Sequence, residues 1–244
     1  MSMDSARVWP AFKQAGIISI YTSQTLNSLV GFTKRMLELN KILNLTRYTQ
    51  EEDVIQFHLL DSAQALEPTR NLMSHTPFPR VLDLGSGCGF PGMVFATAFP
   101  TWEVTLLDAV AKKAKALEEC IKSTQIQVKI LCVRAEKLGK DPTTRETWDV
   151  VLARAVGDFS VVLEYALPLL KTGGYFVDWI TAEQLKTVDK SKKAISLLGG
   201  KLLQNVEYFL PSRKLSRWLI FVEKVGKTPS SYPRSVGIPK KRPL

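Results

Sequence analysis

Cysteine is scarce and has no pairing pattern. Cys88, Cys120 and Cys132 are an odd number with no C-x-x-C spacing, which argues against both a disulfide framework and a zinc site. Long apolar runs are also missing. No stretch reaches the 18 apolar residues that read as a membrane span, and Met1-Ser2-Met3-Asp4-Ser5 does not open a signal peptide. A cytoplasmic monomer with no membrane or metal partner is the expectation. Acidic residues are the third shortage: 23 Asp and Glu stand against 33 Lys and Arg, a formal charge of +10, and the excess points to a polyanionic partner. Internal repeats are absent, and 244 residues suit one α/β domain with a smaller appendage.

The most informative stretch is Val81-Leu82-Asp83-Leu84-Gly85-Ser86-Gly87-Cys88-Gly89-Phe90-Pro91-Gly92, an apolar run ending in an acid and alternate glycines. Glycine has no Cβ, so a strand ending at Leu84 can turn sharply and bring its backbone close to a ligand. A dinucleotide loop would read G-x-G-x-x-G, but the sixth position from Gly85 is Phe90. The register D-x-G-x-G-x-G instead puts the Asp83 carboxylate just before the loop, where it suits an ammonium better than a pyrophosphate. That favours S-adenosylmethionine as cofactor, with Asp83, Gly85, Gly87 and Gly89 around it. Asp108 closes a second apolar run, Trp102 to Leu107, at the spacing of a ribose-binding acid. Both acids fall at predicted strand ends, where ligands of open α/β sheets bind.

Apolar spacing through Leu26, Leu29, Val30, Met36 and Leu37 predicts a helix over 22–43 capped by Thr22 or Ser23. Thr49-Gln50-Glu51-Glu52 reads as a capping box opening a second helix that runs through Ile55, Leu59, Ala63 and Leu66 until Pro68 stops it. Residues 1–75 thus form a small N-terminal helical segment, joined through 71–79 to a domain over 76–225. There strands are expected at 80–84, 103–107, 127–133, 149–153, 175–180, 201–209 and 217–224. Helices are expected at 90–99, from Val110 through Ala114, Leu117 and Ile121, at 158–170 and at 182–198. The last two strands, separated by a short loop, should be antiparallel neighbours. Seven strands with such a terminal hairpin describe a Rossmann-like, class I methyltransferase sheet. The tail, 226–244, carries Pro229, Pro233, Pro239 and Pro243 with Arg234, Lys240, Lys241 and Arg242 and no acid. It is expected to be an extended basic arm along a phosphate backbone, so that deleting it weakens binding of that polyanion and leaves cofactor affinity intact.

Together these residues resemble one family, the RsmG (GidB) methyltransferases, over most of the chain. The distinctive pieces are Asn44-Leu45-Thr46, His58-Leu59-Leu60-Asp61-Ser62, the glycine loop extended by Phe90-Pro91-Gly92, Ala135-Glu136, Ala153-Arg154-Ala155, and the tail from Tyr232-Pro233-Arg234 to Pro239-Lys240-Lys241. The resemblance implies methylation of N7 of a guanine in bacterial 16S ribosomal RNA, with that RNA or the small ribosomal subunit as partner. It further implies that Gly85 and Phe90 contact the cofactor, that Ala135 and Glu136 border its adenine, and that Arg154 stands at the cofactor–substrate boundary as the catalytic candidate. Ala109-Val110, after Asp108, departs from the small polar residue often found there.

Guanine N7 carries an in-plane lone pair and no proton, so the implied reaction is direct displacement without a covalent intermediate, and no general base is required. An arginine forked onto O6 and N7 would cover the reacting atom. Arg154 is therefore expected to touch a phosphate or O6 alone, or to order the loop beside the cofactor. His58 and Asp61, three apart on one helix face, suit a structural contact more than acid–base work, and His58 is grouped with Arg234, Lys240, Lys241 and Arg242 on the RNA side. The competing readings are a methyltransferase of the same fold with another acceptor, a non-catalytic RNA-binding protein and, more remotely, a nicotinamide enzyme. Cytosine-C5 chemistry lacks its cysteine loop, and the Asn/Asp-Pro-Pro-Tyr loop of amino-group enzymes is replaced by Ala153-Arg154-Ala155-Val156.

Overall fold

Alternation of apolar side chains along short β-prone runs generates a sheet with two buried faces, and the order of those runs fixes which ends meet. A computed structural model describes residues 3, 5–122, 124–210 and 215–244. Seven strands, β1 (Arg80–Leu84), β2 (Glu103–Leu107), β3 (Lys129–Leu131), β4 (Trp148–Arg154), β5 (Leu170–Thr181), β6 (Gly200–Leu210) and β7 (Leu215–Lys224), form one sheet in the order β3-β2-β1-β4-β5-β7-β6. β1 to β5 pair in parallel, and β7 runs antiparallel to both β5 and β6. The strand order reverses between β1 and β4, the switch point at which an open α/β sheet leaves a crevice.

One face of the sheet packs on the N-terminal helices. Phe12, Leu26, Phe32, Met36 and Leu59 share a single apolar cluster with Val81, Val150, Leu152, Val177 and Trp179. The N-terminal segment is therefore packed directly on the sheet. The opposite face, through Leu82, Leu84, Val151, Ala153, Phe176 and Ile220, packs on the helix Phe159–Ala166 and its neighbours. The helix Ser23–Leu43 buries Leu26, Leu29, Val30 and Met36 and is capped by a reciprocal Thr22–Thr25 box, as its spacing predicts. It ends at Asn44, held at φ 50°, a left-handed cap.

Several expectations change. The box expected at Thr49 does not form: the helix starts at Glu51 after Gln50, and the Glu51 carboxylate meets Arg7 at 3.1 Å. Pro68 does not stop the chain but lies in the first turn of a helix Leu66–Leu72, where its missing N–H removes no bond. The helix Ser5–Gln14, with Pro10 inside it, was not expected, although Val8 and Phe12 stand one turn apart and are fully buried. Val110 is not on the apolar side of the following helix, Ala111–Lys122; it precedes it and is 41% exposed. β3 is shorter than expected. β5 starts at Leu170, so Gly173 and Gly174 lie within it beside an irregular register with Trp148 and Val150. The helix expected over 182–198 breaks at buried Ser191. The short loop between β6 and β7 falls at 211–214, outside the described residues.

The largest departure is the tail. It is not an extended arm but is folded back against the helix Phe159–Ala166, with Thr228, Pro233 and Pro239 buried. Buried polar groups of the domain need partners, and the tail backbone supplies them. Arg145 donates to the carbonyls of Thr228 and Tyr232, both at 2.7 Å, while Glu146 accepts from the Thr228 N–H. Glu164, with no exposed surface, accepts from Arg234 through both carboxylate oxygens. Among the described residues no helix is long and apolar enough to cross a membrane.

Candidate active site

The crevice at the β1–β4 switch point is built from the two loops that leave those strands. After β1, Gly85, Gly87 and Gly89 take φ values of +74°, +58° and +100°, which L side chains rarely adopt. A Cβ on Gly85 would lie 2.9 Å from Val156 Cγ2, so the two loops already touch at van der Waals range. The loop is tied to β2: Gly85 and Ser86 both donate to the Leu107 carbonyl, and Asp108 accepts from Gly87 N at 3.0 Å and Val110 N at 2.8 Å. After β4, Ala155 sits at φ 58°, a left-handed conformation that costs a non-glycine residue energy and turns the chain sharply behind Arg154.

Strand alternation decides where the charged groups point. Asp83 shares a face with Val81, and Arg154 shares a face with Val150 and Leu152, so both turn towards the N-terminal helices. Asp83 is buried, and one carboxylate oxygen accepts from Gly92 N at 2.8 Å. Among the described residues its other oxygen has no partner. Burial pushes this carboxyl up to about 7, against the pull of the Gly92 hydrogen bond, the nearby Ser86 hydroxyl and the positive field of Arg154. A buried acceptor without a donor at the root of a glycine loop fits a cationic or N–H-bearing ligand group.

Arg154 is spent on protein partners. Its Nη1 donates to the Phe57 carbonyl at 2.5 Å and to Asp61 Oδ2 at 2.9 Å, and its Nη2 donates to His58 Nδ1 at 3.1 Å. These partners lie on one helical stretch, 51–63, whose middle, Ile55–Leu60, is π-helical. Such wider turns recur at functional sites. Asp61 Oδ1 accepts from the Tyr208 hydroxyl at 2.6 Å, and the Asp61 carbonyl accepts from Trp179 Nε1. His58 and Asp61 do not bond each other; both hold the same guanidinium. Since an arginine can only donate, His58 Nδ1 is an acceptor, its proton sits on Nε2, and Nε2 donates to Thr46 Oγ1 at 2.7 Å. Burial, then the charges of Arg154 and Arg47, lower His58 to about 3, so the imidazole is neutral.

His58 is 6% exposed and stacks on Phe90 with ring centroids 5.1 Å apart, so it is an interior group, apart from the exposed Lys240, Lys241 and Arg242 it was grouped with. Phe90 likewise directs its ring between His58 and Phe32. Cys88 Sγ lies 3.7 Å from His58 Nε2, and burial pushes the thiol up to about 11.

On the other face of the sheet Gly85, Ala135, Glu136, Val156 and Tyr165 line a cavity of about 110 Å³, which brings the two residues after β3 beside the glycine loop. Glu136 is buried and accepts from Gly237 N at 3.0 Å, so the tail touches this wall. Arg234 is engaged by Glu164 on the same side, whereas Lys240, Lys241 and Arg242 are exposed. The cavity brings together Gly85, Ala135 and Glu136, Asp108 is tied to the glycine loop through Gly87, and Asp83, Phe90 and Arg154 turn inward on the opposite face of the sheet, with Lys240, Lys241 and Arg242 outside. Sequence reasoning missed Thr46, Phe57, Tyr208 and Trp179. Period-two alternation from Val150 through Leu152 to Arg154 was the available signal that Arg154 faces the N-terminal helices. Among the described residues no cluster of three or more His, Cys, Asp or Glu is placed to hold a metal ion.

The family described as rRNA small subunit methyltransferase G matches residues 25–216. Ribosomal RNA small subunit methyltransferase G of Dictyoglomus thermophilum is 40% identical over 208 residues, covering 85% of this chain and 84% of that protein. Its counterpart in Desulfitobacterium hafniense is 39% identical over 214 residues, 87% of each chain. A solved structure from Listeria monocytogenes, assigned to the class I S-adenosylmethionine-dependent methyltransferases, superposes with a TM-score of 0.60 at 13% identity, over 83% of this chain and 71% of that one. It shares the fold. With the match to its sequence model spanning most of the chain, the protein belongs to the rRNA small subunit methyltransferase G (GidB) family, on a class I methyltransferase fold.

Proposed function

We propose that this chain methylates N7 of a guanine in 16S ribosomal RNA, with S-adenosylmethionine as donor and the RNA or the small subunit as partner. The observation that carries the reading is that this family member holds neither a titrating imidazole nor a reactive thiol beside its glycine loop. The imidazole beside the glycine loop is neutral with its N–H held by Thr46, and the nearby thiol is protonated at neutral pH. An acceptor nitrogen that already owns a lone pair requires neither group.

Bound S-adenosylmethionine supplies an electrophilic methyl on a sulfonium. The free carboxylate oxygen of Asp83 suits its ammonium, Asp108 keeps spare acceptor capacity for ribose hydroxyls, and the wall of Ala135 and Glu136 borders the adenine. Gly85, Gly87 and Gly89 let the backbone approach the donor closely. Arg154 acts as a positioning residue: it ties the end of β4 to the helix of His58 and Asp61, and so fixes Ala155-Val156 against the glycine loop. His58 supports Phe90 from behind.

Transfer of labelled methyl from S-adenosylmethionine to small-subunit RNA lacking the modification, followed by chain cleavage specific for N7-methylguanine, tests the reading. Label at one guanine is expected. Label on protein, or at another base atom, would replace it with a different acceptor, and cofactor-independent RNA binding without transfer would make the chain a non-catalytic binder.

A further inference from the structure

A groove of about 790 Å³ runs between the helix Ser23–Leu43 and the loop that follows it, on the face of the sheet opposite the tail. Its volume is that of a site for a nucleotide-sized ligand, about 300–1,000 Å³. Three cations line it, Lys34, Lys41 and Arg47, against one acid, Glu38, which is paired with Arg35 at 2.8 Å. Among the described residues none of the three cations meets a carboxylate. Arg47 lies over the Tyr48 ring at 5.0 Å, and Tyr48 in turn stacks on Phe57, giving a guanidinium platform on an aromatic base.

The floor of the groove leads to the crevice. Asn40 and Thr46 both line it, and Asn40 Oδ1 accepts from Thr46 N at 2.8 Å. Thr46 Oγ1 holds His58, whose ring lies on Phe90 of the glycine loop and accepts from Arg154. One side chain, His58, therefore separates the groove wall from the glycine loop.

We propose that this groove seats a single-stranded segment of the substrate RNA, with Lys34, Lys41 and Arg47 on its phosphates and the Arg47–Tyr48 platform available to a base. The proposal rests on the reading under Proposed function. Unpaired cations beside a stacked guanidinium form the combination that single strands use, a charged track with a planar surface. A duplex would need a longer track.

The test compares the full chain with K34A/K41A/R47A and with the charge-preserving K34R/K41R/R47K, using a protein-free 16S transcript. Three lost phosphate contacts should lower the slope of log affinity against log salt by about 2. The KM for RNA should rise with kcat little changed, while cofactor affinity by calorimetry and the urea midpoint stay at wild-type values. The charge-preserving variant should restore most of the slope. An unchanged slope and KM in the alanine variant, with the wild type active, would overturn the groove alone. A loss seen only on the assembled subunit, with transcript binding intact, would place a ribosomal protein there and also overturn it. Should the wild type neither bind nor methylate the transcript or the subunit, the functional reading falls first, a result visible before any substitution is made.

Discussion

Arg154 Nη1 and Asp61 Oδ2 are 2.9 Å apart and nearly closed to solvent, so the end of β4 is fastened to the N-terminal helical segment by a buried ion pair. Removing one member leaves the other charged and unpaired. Asp61→Asn should therefore lower stability by about 3–5 kcal/mol in urea unfolding. Replacing both, as D61L/R154M, should recover part of that loss without restoring turnover, because Ala155-Val156 is no longer fixed against the glycine loop. Equal recovery of stability and kcat would make the pair structural only. Arg154→Ala should depress kcat more than it raises the KM for cofactor.

Asp83 and His58 give opposite pH dependences. The Asp83 carboxyl is raised from 3.8 to about 7, so between those values the native state holds the extra proton and stability falls as pH rises. His58 is lowered from 6.5 to about 3, so across that window the unfolded state holds the extra proton and stability falls as pH falls. Where the windows overlap the two slopes oppose each other. H58F should uncover a stability that declines from pH 4 to 6.5, and D83N one that climbs over the same range, each read from urea midpoints. Parallel curves for the two variants would contradict this assignment.

Cofactor affinity carries the second signature of Asp83. Ionisation makes the free oxygen attractive to an ammonium, so affinity should increase from pH 6 to pH 8 in the wild type. D83N should bind more weakly and lose most of that increase. Calorimetry at fixed ionic strength measures both.

Gly92 lies against the same carboxylate. A Cβ there would fall 2.3 Å from Leu106 Cδ2 and 2.7 Å from Asp83 Oδ2, so Gly92→Ala should cost about 1–3 kcal/mol by overpacking. It should also displace the Gly92 N–H from Asp83 and weaken cofactor binding, which calorimetry and urea unfolding would separate.

Glu164 and Arg234 change the expected effect of truncation. Glu164→Gln should cost about 1–3 kcal/mol, a value tempered by the partly exposed Arg234. Deleting 226–244 should lower the urea midpoint, because Arg145, Glu136 and Glu164 lose partners together. A deletion that weakens RNA binding with no change in midpoint would return the tail to the role of an independent arm.

The strands at Arg80–Leu84 and Glu103–Leu107 were readable to the residue because each is a short apolar run bounded by proline, glycine or aspartate, and both faces are covered. Their parallel pairing followed from the alternation with helices. The helix Ser5–Gln14 was passed over because Pro10 reads as a breaker, although Val8 and Phe12, one turn apart, mark the face it buries. The glycine loop was found through its own composition. The Arg154 network was hidden because its members, Thr46, Phe57, His58, Asp61, Trp179 and Tyr208, are gathered only by tertiary packing, and one of them acts through a backbone carbonyl. The tail misled because proline and lysine counts register solvation, whereas its backbone N–H and C=O groups answer buried charges elsewhere.

Synthesis runs from the amino end, and the groups that seat the tail, Glu136, Arg145, Glu146 and Glu164, are all made before the backbone that satisfies them. Gly237 donates to the same Glu136 that walls the small cavity by the glycine loop. The crevice is therefore completed last, and a nascent chain cut short before Gly237 carries the glycine motif without a finished wall beside it.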